Sequence, residues 1–508
     1  MSEATPAVPR LTRTALAAAR AEGLPSRVTP PRTDAATLGI GIVHFGLGAF
    51  HRAHQAVFTE DAAAAAGDTR WGIFGVTGRS DAVVRQLQPQ DGLYGVLTRD
   101  AHEKSLRLVG SIRDVAWPGD RSGDVVDVIA APTTHLATLT LTEQGYPRAV
   151  DGALDAANPD VAADRVVLAR ELVGAQPPEA SRTPLGLLVR GLARRYREGG
   201  GGFTVVCCDN LAHGGAVVRS LVHALASGSD AGFESWLAAS VTFPSTMVDR
   251  ITPATADADR ALARELLGLD DAGLVVAEPF GQWVIEDDFA GPRPPWELAG
   301  AIITDDVAPY ETAKLRVLNA THLLLAWTGS LCGYRTIAEA VADPRLRELA
   351  RTTIDDDILP TLVAPAGLDL PAYRDSVLAR FANPALAHTT AQVGANGSQK
   401  LPHRIVGTVL DRLAAGEVPR GLALVVAAWA SVIAASLAPG GATLDDPAAE
   451  ELRARVGSAE ALRAEPDAVV RRLLRFSVFP DAMSHPGFRA AVVEQLATVH
   501  SIVEGTQP

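Results

Sequence analysis

Residues 38–54 read LGIGIVHFGLGAFHRAH, and the fold turns on how that stretch divides. Leu38–His44 is a short run carrying Ile40, Ile42 and Val43, the length and composition of a buried strand rather than a helix. Gly46 and Gly48 then set a tight turn, and Ala53–Ala65 beyond them reads as helix. Strand, GxG turn and helix in that order make the first half of a dinucleotide-binding fingerprint, with His51 where a third glycine is usual. Two glycines in a turn are common, so the weight lies in their position between strand and helix. There they let the backbone approach a pyrophosphate at the helix N-terminus. Phe45, Gly46, Gly48, Ala49 and Phe50 are the candidate cofactor contacts of this turn.

Outward from it, Trp71–Val76 is a second strand, followed by TGRSD. In the simplest Rossmann pattern an acidic residue here holds the adenosine ribose and selects NAD. Asp81 is the nearest carboxylate, while Arg79 suits a 2′-phosphate, and simple solvation of both is equally open. NAD is the expected cofactor, with NADP not excluded. Leu136–Thr142 is a further β-like run with Glu143 at its C-terminal end, the side on which such folds bind ligands. Pro184–Glu198 is an amphipathic helix, and Phe203–Cys208 a short buried strand that delivers Asp209 and Asn210 into a loop. VTFPSTMVDRITP (241–253) puts Asp249 and Arg250 just after a hydrophobic stretch, an arrangement a structural salt bridge explains equally well. Upstream, residues 1–37 form an arm, a short helix Leu11–Ala21 and then PSRVTPPRTD. Downstream, FAGPRPPWE (289–297) reads as a hinge, and from about residue 300 the pattern is helical. The expected organisation is α/β: an arm (1–37), a Rossmann-type domain (38–298) and a mostly α-helical substrate domain (299–508).

The second domain is organised around YETAKLRVLNATHLLLAWTGS (310–330), an apolar helix with Pro309 in its first turn. Lys314, Asn319 and His322 interrupt its greasy pattern. At about 100° per residue, Asn319 lies roughly 140° and His322 roughly 80° from Lys314, within one broad sector. Either Lys314 snorkels to water while the other two satisfy backbone groups, or the three handle a hydroxyl and the carbonyl it becomes. Composition tilts the choice. Lysine occurs only at Lys104, Lys314 and Lys400, in a chain rich in arginine. Arginine does not deprotonate in a protein, whereas a desolvated lysine serves as a base.

The totals narrow the class. At 508 residues more than one core is required. A net charge of −13 argues against non-specific binding to nucleic acid or anionic membranes, though not against a small anionic substrate. Cys207, Cys208 and Cys332 make no disulfide framework, which fits a reducing cytoplasm, and the N-terminus lacks an apolar signal core. No Cys/His cluster has zinc spacing, so chemistry without a metal is expected. Gly421–Pro439 is apolar enough for a membrane span, but it stands alone, is rich in alanine and reads as a buried helix. Nothing in the sequence speaks to oligomeric state.

GLGAFHRAH, TLTLTEQGY, CCDNL, VTFPSTMVDRITP, EPFGQWVIEDDF, KLRVLNATH and NGSQKLPHR occur in that order between about Gly39 and His500. Together they resemble the long-chain polyol-specific dehydrogenases, which include mannitol 2-dehydrogenase and fructuronate reductase. The 241–253 stretch fits the signature segment of that family. The resemblance implies a Rossmann-type N-terminal domain, a helical C-terminal domain and metal-independent hydride transfer with NAD(P). It implies Lys314 as general base and Asn210 and Asn319 as amide donors to the substrate oxygen. It implies His322, Asp249 and Lys400 as contacts to substrate hydroxyls, and Glu143 as a relay of the proton to solvent. Gln392 departs from the arginine expected in mannitol enzymes. Conversely, GSQKLP followed by His403 and Arg404 is similar to the fructuronate reductase branch, where a substrate carboxylate needs a cationic partner. The reaction expected is hydride transfer at C2 of D-fructuronate/D-mannonate. The alternatives are a mannitol 2-dehydrogenase acting on D-mannitol/D-fructose, a non-catalytic nucleotide-binding sensor and a membrane-associated protein.

Overall fold

The computed structural model describes residues 8–78, 80–100, 104–142, 145–149, 151–175, 180–386 and 388–505. They form two compact units, Met1–Val307 and Ala308–Pro508. The centre of the first is a six-stranded sheet built from β1 (Ile40–Phe45), β2 (Gly72–Val76), β3 (Ile112–Ala116), β4 (Leu136–Leu139), β5 (Phe203–Cys207) and β6 (Val241–Thr242). The order is β3-β2-β1-β4-β5-β6 and every pairing is parallel. This is the doubly wound nucleotide-binding order, with its reversal between β1 and β4.

Parallel strands need crossovers that cover both sheet faces, which is why β1 is apolar nearly throughout rather than alternating. Val43 and Phe45 enter the core shared with the helices Pro118–Ala130, Pro184–Arg197 and Gly214–Ala226. Ile42 faces the other way, into a core with Trp71, Trp283 and Trp296. Trp296 belongs to the segment expected as a hinge. It is fully buried, and its indole N–H donates to Thr59 Oγ1 at 3.1 Å, so this proline-rich stretch is packed onto the first unit. Within the arm, Thr12 caps the helix Arg13–Glu22, and Val28–Thr29 pairs with Leu106–Arg107 of a second, four-stranded sheet.

The second unit is helical around one core. The stretch 310–330 is not one regular helix. Ala308–Ala313 leads into a wide π-helical turn, Lys314–Asn319, which continues as Ala320–Leu331. Two more such turns, Thr353–Ile358 and Pro402–Val406, pack against the first. Pro402 lacks an amide N–H and cannot sustain an α-helical bond, so a widened turn lets the chain pass through it without breaking the helix. The apolar stretch near 421–439 forms the helix Arg420–Ala435, packed between Ala320–Leu331 and Pro486–Glu504. Asp357 accepts the Leu422 amide at 2.9 Å and satisfies the buried start of that helix. Among the described residues no helix is long and apolar enough to cross a membrane.

Candidate active site

In the first unit the loops after β1, β4 and β5 meet at the C-terminal edge of the sheet. Gly46 adopts φ +94°, and a Cβ there would stand 2.0 Å from the Thr140 carbonyl oxygen. Only glycine fits. Its amide and that of Leu47 both donate to the Val76 carbonyl, at 2.9 and 3.1 Å, which fastens the turn to the end of β2. Thr140 Oγ1 donates back to the Gly46 carbonyl at 2.9 Å. Asp209, after β5, accepts the Leu141 and Thr142 amides, each at 2.9 Å, and the Tyr146 hydroxyl at 2.5 Å. Asp209 thus ties one loop to the next and fixes the backbone that presents Asn210, which is exposed. Sequence reasoning placed Asp209 in this loop without a task. Its signal was position, one residue before the candidate amide donor.

The helix after the glycines differs from the reading of 53–65. A short segment, Ala49–Ala53, is followed by a break at His54 and then by Gln55–Ala66. His51, in the place of the third glycine, is buried and stacks on His44 with ring centroids 3.3 Å apart. His44 is held by Thr138 Oγ1 at 2.8 Å and Thr140 Oγ1 at 3.1 Å. Burial pushes His44 down to about 3 and His51 well below the usual histidine range, so both are neutral at physiological pH. The pair fills the space under the turn with uncharged rings.

Of the other contacts expected here, Phe45 points into the core and offers only its backbone to the turn. Asp81 precedes the helix Ala82–Leu87, and its carboxylate is bonded to Arg85 one turn on. Asp249 ends the strand Thr246–Asp249 and is buried, while Arg250 donates to the carbonyls of Ala53 and Glu278. Glu143 and Arg79 lie outside the described residues. Gly46–Leu47–Gly48 still fits a dinucleotide. The turn stands at the reversal between β1 and β4, and Gly48, with only the Gly46 carbonyl oxygen within 4 Å of a notional Cβ, leaves its surface open to a close-lying phosphate.

In the second unit, Lys314 opens the wide turn and is 9 % exposed. With hydrogen bonds running from i to i+5, Asn319 comes nearly above Lys314 instead of the roughly 140° away that a regular helix gives. The wide turn therefore aligns the amine and the amide. Arg404, on the packed wide turn, donates to the Asn319 carbonyl at 3.4 Å. His322 is buried and stacks on Phe381 at 4.6 Å, with the His388 ring 5.1 Å away. Its Nε2 has no hydrogen-bond partner among the described residues. Burial first, then His388, Arg404, Lys400 and Arg380, hold His322 well below the usual range. Arg380 and His388 were not singled out from the sequence. They come from a helix and a loop that only tertiary packing brings to His322.

Lys400 donates to the Val393 carbonyl at 2.9 Å. Burial, followed by the Arg404 charge, brings it down to about 8. Burial likewise lowers Arg404 to about 10. Gln392 is exposed and closes a capping box with Thr389, whose Oγ1 lies 3.0 Å from the Gln392 Oε1. Among the described residues no group of His, Cys, Asp and Glu is placed to hold a metal ion.

Known proteins with this architecture identify the family. Residues 40–298 match the mannitol dehydrogenase Rossmann domain and residues 306–500 the mannitol dehydrogenase C-terminal domain. The chain belongs to the mannitol dehydrogenase family. It is an NAD-dependent oxidoreductase acting on a secondary alcohol. D-mannonate oxidoreductase of Escherichia coli (strain K12) is 39% identical over 407 residues, 79% of this chain and 82% of that one. A mannitol 2-dehydrogenase of Phaeosphaeria nodorum is 37% identical over 435 residues, 84% of this chain and 75% of that one. The structure of Pseudomonas fluorescens mannitol 2-dehydrogenase, a ternary complex with NAD and D-mannitol, superposes with a TM-score of 0.79. It is 34% identical and covers 98% of each chain.

Proposed function

We propose that this family member transfers a hydride between NAD(H) and C2 of a linear six-carbon sugar acid, interconverting D-fructuronate and D-mannonate. The observation that carries the reading is the cationic group around His322. The charges of Arg404, Lys400 and Arg380 all act on one buried imidazole in a chain of net charge −13. A substrate carboxylate has a use for such a field, and a neutral polyol has none. The engagement of Gln392 in a helix cap, where mannitol enzymes are expected to carry an arginine, supports the same choice. So does the relative named D-mannonate oxidoreductase.

When bound at the Gly46–Gly48 turn, the nicotinamide cofactor supplies the hydride acceptor for alcohol oxidation and the donor for the reverse reaction. Lys314 Nζ takes the hydroxyl proton, a task open to an amine and closed to a guanidinium. Asn319 and Asn210 are the amides assigned to donate to the oxygen as it becomes alkoxide-like. His322 and Asp249 hold further hydroxyls, Lys400 assisted by Arg404 takes the carboxylate, and Glu143 passes the proton on to solvent.

The test is the specificity constant for fructuronate against fructose, with NADH, from pH 6 to 10. A charge-assisted hydrogen bond worth about 1.5–3 kcal/mol favours fructuronate by roughly ten- to a hundredfold. Lys400 is lowered to about 8, so it is cationic below that pH and loses its charge above it. The fructuronate advantage should therefore fall by about tenfold per pH unit on the alkaline side, and Lys400→Met should abolish it. Equal use of fructose throughout would turn the assignment to mannitol 2-dehydrogenase chemistry. NADH binding without turnover of any ketose would turn it to a sensor.

A further inference from the structure

The loop that carries Lys400 is held by a carboxylate with no part in the chemistry above. Asp446 lies between the helices Arg420–Ala435 and Ala449–Val456 and is buried. Its Oδ2 accepts the Ser398 amide at 2.8 Å, and its Oδ1 accepts the Ser398 hydroxyl at 2.5 Å and the Ala448 amide at 2.9 Å. Next to it, the Asp445 carbonyl accepts the Asn396 amide at 2.7 Å. Asn396 sits in the left-handed region at φ 55° and opens the short helix Gly397–Leu401. On the inner side Gly397 is pressed against two indoles. A Cβ there would stand 2.8 Å from Trp429 Nε1 and 3.0 Å from Trp327 Cζ2. The first turn of the helix is thus clamped between the tryptophans and Asp446, and the Lys400 amide closes that turn onto the Asn396 carbonyl at 3.1 Å.

The titratable groups around Lys400 are Arg404 on its own helix, the neutral His388 and His322 from the neighbouring segments, and Asp445 and Asp446. Burial and Arg404 favour loss of the lysine proton, and the two aspartates oppose it.

We propose that Asp446 is a positioning residue for Lys400. Its carboxylate fixes the helical turn from which the lysine meets the substrate, and it supplies negative charge to balance the Lys400–Arg404 pair. The kinetic consequence rests on the sugar-acid reading; the consequence for the lysine itself does not.

The scarcity of lysine makes the test direct. Trace acetylation with acetic anhydride between pH 6 and 10, read by peptide mass spectrometry, gives the titration midpoint of Lys400, with the exposed Lys104 as internal reference. Asp446→Asn keeps an acceptor for the Ser398 amide and removes the charge. It should lower the Lys400 midpoint by roughly half a pH unit or more. KM for fructuronate should then rise several-fold more at pH 8.5 than at pH 6.5, with little change in kcat. Ser398→Ala retains the charge and loosens the clamp, so it should raise KM at both pH values and leave the midpoint in place. An unmoved midpoint in folded Asp446→Asn overturns the proposal, whatever the substrate. A lowered midpoint with unchanged fructuronate KM upholds the link between Asp446 and Lys400 and removes the sugar-acid reading instead.

Discussion

Replacing Gly46 and Gly48 one at a time should separate two tasks that the glycine turn performs. At Gly46, with φ +94°, alanine meets a left-handed penalty of roughly 1–2 kcal/mol. Its methyl would also stand 2.0 Å from the Thr140 carbonyl oxygen, well over 1 Å too close. That carbonyl cannot retreat easily, because the Thr140 amide is bonded to Phe45 and the next amide to Asp209. The turn must move instead, straining two bonds to the Val76 carbonyl worth about 1 kcal/mol each. The first unit should lose about 3–4 kcal/mol in all, on those two contributions. At Gly48, φ is −100° and the nearest atom to a notional Cβ is 3.6 Å away. Alanine there should be neutral or stabilising by up to about 1 kcal/mol. Its methyl nevertheless occupies the surface offered to the pyrophosphate. Urea unfolding followed by circular dichroism, with NADH titration by fluorescence, reads both effects. Gly46→Ala should lose stability and NADH affinity together. Gly48→Ala should keep its unfolding midpoint and bind NADH at least tenfold more weakly, the loss of about 1.4 kcal/mol. Wild-type NADH affinity in Gly48→Ala, or wild-type stability in Gly46→Ala, would refute the reasoning.

Two further outcomes are expected. Lys314→Ala should slow alcohol oxidation by about two to four orders of magnitude while NADH binding persists, and Lys314→Arg should be nearly as slow. Near-normal turnover in a folded Lys314→Ala variant would remove the lysine from its role. Acid should destabilise the protein, because His44, His51 and His322 are all held below 6.5 by burial. Each is neutral when folded and takes a proton on unfolding, so stability is full above pH 6.5 and is lost as pH falls through it. At pH 5.5 the loss is about 1.4 kcal/mol for each histidine. The urea midpoint should therefore drop between pH 7.5 and 5.5, and a flat profile would count against the neutral assignments.

The part of this architecture that could be read from residues alone is the part written in local pattern. Ile40–Phe45 has the length and apolar content of a buried strand, and the glycines that follow sit where the turn needs them. The position of His51 was visible as a departure from the fingerprint. Its partner was not, because the pairing with His44 depends on which side of β1 each residue takes. The wide turn at Lys314–Asn319 was hidden for a different reason. KLRVLN is an ordinary helical sequence, with no proline to mark the change as Pro402 marks the turn it packs against. Placing Asn319 from a uniform 100° step consequently put the amide on the wrong side of the amine. Arg380 and His388 had no local signal, since their approach to His322 is set by how distant helices pack. Gln392 is the converse case. Threonine three residues before glutamine is a helix-capping pattern, readable without coordinates.

The widened turn at 314–319 also acts as a phase shifter. One i→i+5 turn absorbs about one residue more than regular winding, so the helix faces before and after it are offset by roughly 100°. Tyr310 ahead of the turn reaches the Ala366 carbonyl at 2.6 Å, and Trp327 beyond it reaches the Gly394 carbonyl at 3.2 Å. At this chain length those two anchors agree only while the turn stays wide. Relaxing the turn to ordinary pitch at the present length would swing the far half of the helix by that angle and carry Trp327 away from the loop that bears Lys400, whereas deleting one residue from the turn would restore regular winding with both anchors still in phase. The extra residue is thus taken up within the helix itself, between the two anchors, and not in a loop.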